Sequence, residues 1–288
     1  MPELPEVEII KRGLEQKIIG RTIASVDVRE SKIFQGRKED VVDAKIINIK
    51  RRAKMIVIEL SNQKSLLIHL KMTGQLIFDR KPNDKTTRTA GGHPSKDWVA
   101  DLPSQFTRVI FVFTDESVLY FNDLRKFGYI KVYKSSEIDD LKVLRELGPE
   151  PFDKEFTAEY LLRCCDKKPQ TKIKQLLIDQ TIISGVGNIY ADESLFCAHI
   201  SPLRLGRDIK LSELRKIAEC VKEVLTKALK MGGSSENTFV DVEGKRGQMQ
   251  NHFLVYRQTG RNCPNGCGKI MRTTVGGRGT HYCPICQV

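Results

Sequence analysis

Apolar residues recur every three or four positions from the start of the chain, with Leu4, Val7, Ile10, Leu14 and Ile18 on one helical face. Pro5 suits a first helical position and Glu6 and Glu8 suit a first turn, so a helix is predicted here. The pattern then changes. From Arg21 to Phe34, and at 57–60, 66–70, 76–78, 109–113, 118–121 and 129–133, short runs are rich in β-branched and aromatic residues. Turns such as Ser61-Asn62-Gln63 and Asp115-Glu116 separate them, which predicts a β-sandwich. Leu147-Gly148-Pro149-Glu150-Pro151 breaks the periodicity and reads as an interdomain linker. Helical spacing returns at 157–164, 171–179, 189–196 and most clearly 211–230, where Leu214, Ile217, Val221, Val224, Leu225 and Ala228 mark one face.

A chain of 288 residues is long enough for two domains. Forty-eight Lys and Arg against 36 Asp and Glu give a charge of +12, which favours a polyanionic partner. Nucleic acid, ribosome and membrane surface all satisfy that charge. No run of 18 apolar residues exists and the N-terminus carries no apolar signal segment, so the expected location is cytoplasmic, associated with the nucleoid. Thiols stay reduced there. The eight cysteines therefore read as metal ligands or buried thiols. Cys263-x3-Cys267, fifteen residues, then Cys283-x2-Cys286 is the spacing of a tetrahedral thiolate site for zinc; two disulfides are the alternative and need an oxidising setting. Cys164, Cys165, Cys197 and Cys220 lack such spacing and are expected in the core.

Candidate chemistry begins at the N-terminus. A small second residue permits removal of Met1, after which Pro2 is a secondary amine beside the Glu3 carboxylate. An α-amino group titrates near about 8 against about 10.4 for lysine, so far more of it is neutral and nucleophilic at pH 7. The predicted helix points its positive end at both residues, which lowers the amine pKa. A capped amphipathic surface helix would look the same on these residues alone.

Pro2-Glu3-Leu4-Pro5-Glu6-Val7-Glu8 also resembles the N-terminus of the formamidopyrimidine-DNA glycosylases, and matching stretches run to Cys286. The resemblance implies an α+β fold of two domains: an N-terminal catalytic β-sandwich with a flanking helix (1–134), a linker (135–151), a helix-two-turn-helix domain with a loop over the lesion (152–251) and a zinc finger (252–288). It implies Pro2 as nucleophile and Glu3 as acid, with Lys54 and Arg278 assisting elimination. Lys54 lies in Arg51-Arg52-Ala53-Lys54-Met55, and Arg278 in Gly276-Gly277-Arg278-Gly279. His69, Lys168, Asn188 and Tyr256 match DNA contacts, while Met72, Arg125 and Phe127 match residues that fill the hole left by an extruded base. An arginine offers only donors, which suits O2 and N3 of an orphaned cytosine and suits the N6 donor of adenine poorly. One structural zinc on Cys263, Cys267, Cys283 and Cys286, damaged double-stranded DNA as partner, no membrane and a monomer complete what the resemblance implies.

The activity expected is therefore that of a DNA glycosylase and abasic-site lyase excising 8-oxoguanine opposite C, or ring-opened purines, in base excision repair. Three departures stand out. The connection 79–106 is long and holds Pro82, Gly91, Gly92, Pro94, Trp98 and Pro103; Gln105-Phe106 replaces the usual Lys-His; and the first cysteine pair is one residue wider than usual. The rivals are an endonuclease VIII-like enzyme for oxidised pyrimidines, a non-catalytic zinc-ribbon DNA-binding protein, and a zinc-ribbon RNA or ribosome binder.

Overall fold

A computed structural model describes residues 1–82, 102–236 and 239–288. Trp98 and most of the long connection lie outside the described residues. The chain forms two compact units, 1–145 with 231–250, and 146–230 with 251–288. The segment Met231–Gln250, expected in the second domain, thus packs with the first.

The first unit begins with α1 (Leu4–Ile18), then β1 (Ile23–Val28), β2 (Phe34–Gln35), β3 (Ile46–Arg52), β4 (Met55–Leu60), β5 (Lys64–His69) and β6 (Gly74–Asp79). After the connection come β7 (Thr107–Phe113), β8 (Val118–Asp123), β9 (Tyr129–Lys134) and the short α2 (Lys142–Arg145). Two sheets result, ordered β1-β7-β8-β6 and β2-β9-β5-β4-β3. Their apolar faces and the stripe Val7, Ile10, Leu14 and Ile18 of α1 share one core, to which Phe239 and Val242 add. Gly13 makes room for that last contact, because a Cβ there would stand 2.4 Å from Val242 Cγ2.

The second unit contains α3 (Ala158–Lys167), α4 (Ile173–Ile178), α5 (Asn188–Cys197), α6 (Leu211–Lys230) and a hairpin of β10 (Met271–Val275) and β11 (Arg278–Tyr282). The predicted linker is not slack at its second end. Gly148 N donates to Gln180 O at 2.9 Å and Ser184 N to Pro149 O at 3.0 Å, pinning it to the turn before α5. Another expectation needs correcting: Cys197 and Cys220 form a disulfide between α5 and α6, their Cα atoms 5.8 Å apart and within bridging range. Cys164 and Cys165 are free thiols. Among the described residues no helix is long and apolar enough to cross a membrane.

Candidate active site

In the first unit Pro2 and Glu3 are buried at the positive end of α1. Glu3 caps that helix in a reciprocal box: its side chain accepts from the Glu6 N–H, and Glu6 Oε2 accepts from Glu3 N at 2.8 Å. The other oxygen of Glu6 accepts from Ser234 N at 2.9 Å, so one buried carboxylate ties the N-terminus to the 231–250 segment. Lys54 sits in the turn between β3 and β4 and is 6% exposed. Glu8 holds that turn through Arg51, which it meets at 2.8 Å and which donates to Ala53 O at 3.0 Å. Burial raises the pKa of Glu8, but Arg51 and Arg12 outweigh it and keep the carboxyl below its usual range. Glu6, Glu8 and Arg51 escaped sequence reasoning because each reads as an ordinary surface charge.

Two neighbouring loops carry the expected void-filling residues. Met72 is half-buried in the loop after β5, and Arg125 and Phe127 are exposed in the loop after β8. Arg125 stacks its guanidinium 4.8 Å from the Phe127 ring centre, so cation and ring already stand together. The two loops are joined, since Arg125 N donates to Thr73 Oγ1 at 3.0 Å. Burial, then the charges of Lys71 and Lys54, push His69 down to about 3. Its Nδ1 accepts from Lys71 N at 3.0 Å, so the proton of the neutral ring is on Nε2.

The second unit sets Asn188 at the start of α5, after the turn Ser184-Gly185-Val186-Gly187. Gln180 shapes that turn, donating to Val186 O at 2.8 Å and accepting from Gly185 N at 3.0 Å. Asn188 Nδ2 gives one N–H to Gly279 O at 2.9 Å and has a second for an anion. Lys168 is exposed and faces Asp179 at 2.7 Å, an ion pair that a phosphate would have to displace. Tyr256 is half-buried, and its backbone is held by Glu193, whose carboxylate accepts from the N–H groups of Leu254, Val255 and Tyr256 at 2.8–3.2 Å. Burial raises the pKa of Glu193 against those three donors.

Arg278 opens β11 and pairs with Val275 across Gly276 and Gly277, both at positive φ, as a two-residue hairpin turn requires. The Arg278 side chain is exposed, but the strand behind it is fixed. Fully buried Lys174 meets Asp192 at 2.6 Å and donates to Gly279 O and Thr280 Oγ1 at 3.1 and 2.8 Å, while Asp192 accepts from His281 N at 2.9 Å. Beside the hairpin the sulfurs of Cys263, Cys267, Cys283 and Cys286 lie within 4.8 Å of one another. Tetrahedral zinc at about 2.3 Å from each sulfur would separate them by about 3.8 Å. Cys263 and Cys286 are 3.7 Å apart and Cys267 and Cys283 3.4 Å, which fits.

Residues 1–130 match the formamidopyrimidine-DNA glycosylase N-terminal domain, and residues 147–240 match the H2TH domain of the same enzymes. The chain is 37% identical to the formamidopyrimidine-DNA glycosylase of Pelotomaculum thermopropionicum over 292 residues, covering 100% of this chain and 99% of that one. The Bacillus cereus enzyme of that name is 39% identical, with the same coverage. Among solved structures, Lactococcus lactis Fpg bound to DNA containing an abasic site superposes with a TM-score of 0.85 at 30% identity, covering 99% of both chains. MutM (Fpg) from Thermus thermophilus gives 0.84 at 32% identity over 99% of this chain and 98% of that one. The chain belongs to the formamidopyrimidine-DNA glycosylase family.

Proposed function

We infer that the protein acts in base excision repair as a bifunctional glycosylase and abasic-site lyase, removing 8-oxoguanine opposite C and ring-opened purines from duplex DNA. The observation that carries this reading is the buried Pro2-Glu3 pair at the positive end of α1, in a chain full-length similar to enzymes of this name. A MutM structure with DNA containing carbocyclic 8-oxoguanine, 31% identical to this chain, supports the oxidised purine over the oxidised pyrimidine.

With Met1 removed, the neutral Pro2 nitrogen attacks C1′ and the base departs with its bonding electrons. Glu3 takes the proton from the Pro2 ammonium formed on attack and delivers it to the ring oxygen as the C1′–O4′ bond breaks, leaving an iminium. That cation acidifies C2′, and β- and then δ-elimination cut the strand on either side. Lys54 is assigned the lesion phosphate and assistance in proton transfer, and Arg278 serves the second elimination. His69, through Nε2–H, and Asn188, through its second amide N–H, suit phosphate oxygens. Tyr256 is assigned the same role, and Lys168 too once it leaves Asp179. Met72, Arg125 and Phe127 enter the stack where the base has left.

Cys263, Cys267, Cys283 and Cys286 would hold one zinc. Four thiolates leave no open position, so its contribution is to fix the hairpin that presents Arg278. The partner is damaged double-stranded DNA, bound by a monomer. Glu3→Gln and Pro2→Gly are expected to abolish excision while duplex affinity, read by fluorescence anisotropy, stays near the parent's. Excision by Glu3→Gln at the parental rate would remove Glu3 from its role.

A further inference from the structure

The loop bearing Arg125 and Phe127 is exposed at every residue from Leu124 to Phe127. Its two ends converge on one carboxylate. Asp123, the last residue of β8, is fully buried, and Oδ2 accepts from Gly128 N at 2.7 Å while Oδ1 accepts from Arg125 N at 3.2 Å. Oδ1 also receives a short hydrogen bond from the hydroxyl of Thr73, whose oxygen in turn accepts from Arg125 N at 3.0 Å. The backbone of Asp123 is held as well, donating to Phe106 O and accepting from Arg108 Nε, both at 2.9 Å. Gly128 permits this closure, because a Cβ there would meet Phe121 Cζ at 2.8 Å and Asp123 Oδ2 at 3.1 Å.

Neither Asp123 nor Thr73 has a role in the chemistry described above. A buried charge is nevertheless spent on three donors from two loops, one of which carries Met72 and the other Arg125 and Phe127. Hydrogen bonds to a charged buried acceptor are the stronger kind, and they fix the two ends of a loop whose exposed tip holds the Lys126–Glu30 ion pair, at 2.6 Å, and the Arg125–Phe127 stack. Discrimination by an arginine fork needs such stiffness. A guanidinium held in place meets the acceptors of cytosine and opposes the N6 donor of adenine, whereas a mobile one can turn aside.

We propose that Asp123 and Thr73 form a latch that positions Arg125 and Phe127 and thereby sets selectivity for the base opposite the lesion. The proposal rests on the reading of Arg125 and Phe127 as residues that enter the duplex. Asp123 and Thr73 are positioning residues, acting through the loop without touching the reacting atoms.

The test uses full-length zinc-loaded protein and the variants Thr73→Val, Thr73→Ser and Asp123→Asn. Single-turnover excision is measured on 8-oxoguanine opposite C and opposite A, with thermal melting alongside. Borohydride trapping on a single-stranded abasic oligonucleotide, which has no opposing base to be held, reports the chemistry alone. Thr73→Val and Asp123→Asn should each slow excision opposite C by about tenfold, the cost of one lost hydrogen bond to a charged group, and bring the C-to-A ratio towards one, while trapping changes by no more than about twofold. Thr73→Ser should restore the ratio. A parental ratio retained in both variants overturns the latch alone. Trapping, excision and melting temperature falling together in both variants would make Asp123 and Thr73 general supports of the fold, which also overturns it. A parent protein without any preference for C overturns both the latch and the reading of Arg125 beneath it.

Discussion

Replacing Glu6 tests whether its carboxylate holds Pro2 and Glu3 in place. Glu6 is 2% exposed and accepts two backbone N–H bonds, from Glu3 at 2.8 Å and from Ser234 at 2.9 Å. Each hydrogen bond to a charged group contributes about 1.5–3 kcal/mol, and a donor left buried without a partner costs about as much as the bond it lost. Glu6→Ala removes both acceptors and should therefore cost about 3–6 kcal/mol. Glu6→Gln keeps one acceptor oxygen and turns an amide N–H towards the other donor, for a loss of about 1.5–3 kcal/mol. In urea, where slopes are about 1–3 kcal/mol/M, the alanine variant should unfold at least about 1 M earlier than the parent. Excision should fall in Glu6→Ala, where Glu3 loses the hydrogen bond that sets its backbone. A Glu6→Ala protein within about 0.5 kcal/mol of the parent, excising at the parental rate, would show that Glu6 does not hold the N-terminus.

Further outcomes are expected at the metal site and at His69. Cys263→Ser should lose the bound zinc that the parent retains in native mass spectrometry and should weaken duplex binding; undiminished zinc content would count against the four-thiolate site. His69 takes up a proton only near about 3, against about 6.5 in the unfolded chain. The unfolded state thus binds the extra proton first, and this contribution to stability is lost as pH falls from about 6.5 towards 3. Its imidazole resonances should stay flat between pH 8 and 5, and a titration midpoint near 6.5 would contradict the half-buried neutral ring.

Local periodicity made much of the fold legible. The stripe from Leu4 to Ile18 marked α1, and the predicted helix at 211–230 coincides with α6 (Leu211–Lys230). What it hid has physical causes. In β3 the buried residues are Ile46 and Ile49, spaced by three because the register shifts between Ile46 and Asn48, so alternation fails and the stretch reads only as a basic cluster. The affiliation of Met231–Gln250 depends on long-range packing of Phe239 and Val242 against α1 and the sheets, which no local pattern encodes.

The candidate site divides in the same way. Pro2, Lys54, Arg278 and the cysteines stand in short motifs whose residue types fit the chemistry. Glu6, Asp123, Lys174 and Asp192 are polar residues that a sequence suggests are solvated, yet all four are buried. Their value comes from partners tens to hundreds of residues away, as with Glu6 and Ser234 or Lys174 and Thr280. The disulfide of Cys197 and Cys220 is similar, since a separation of 23 residues matches no motif and only the packing of α5 on α6 brings them together.

If Pro2 is the nucleophile, borohydride reduction should capture its bond to the damaged sugar. Protein whose intact mass confirms loss of Met1 is incubated with a duplex holding 8-oxoguanine opposite C, reduced, digested and mapped. A covalent adduct is expected on the nitrogen of Pro2, formed with this duplex and absent with undamaged DNA. An adduct mapped to Lys54 or another lysine, or none from protein that lacks Met1 and still binds the duplex, would contradict Pro2 as the nucleophile.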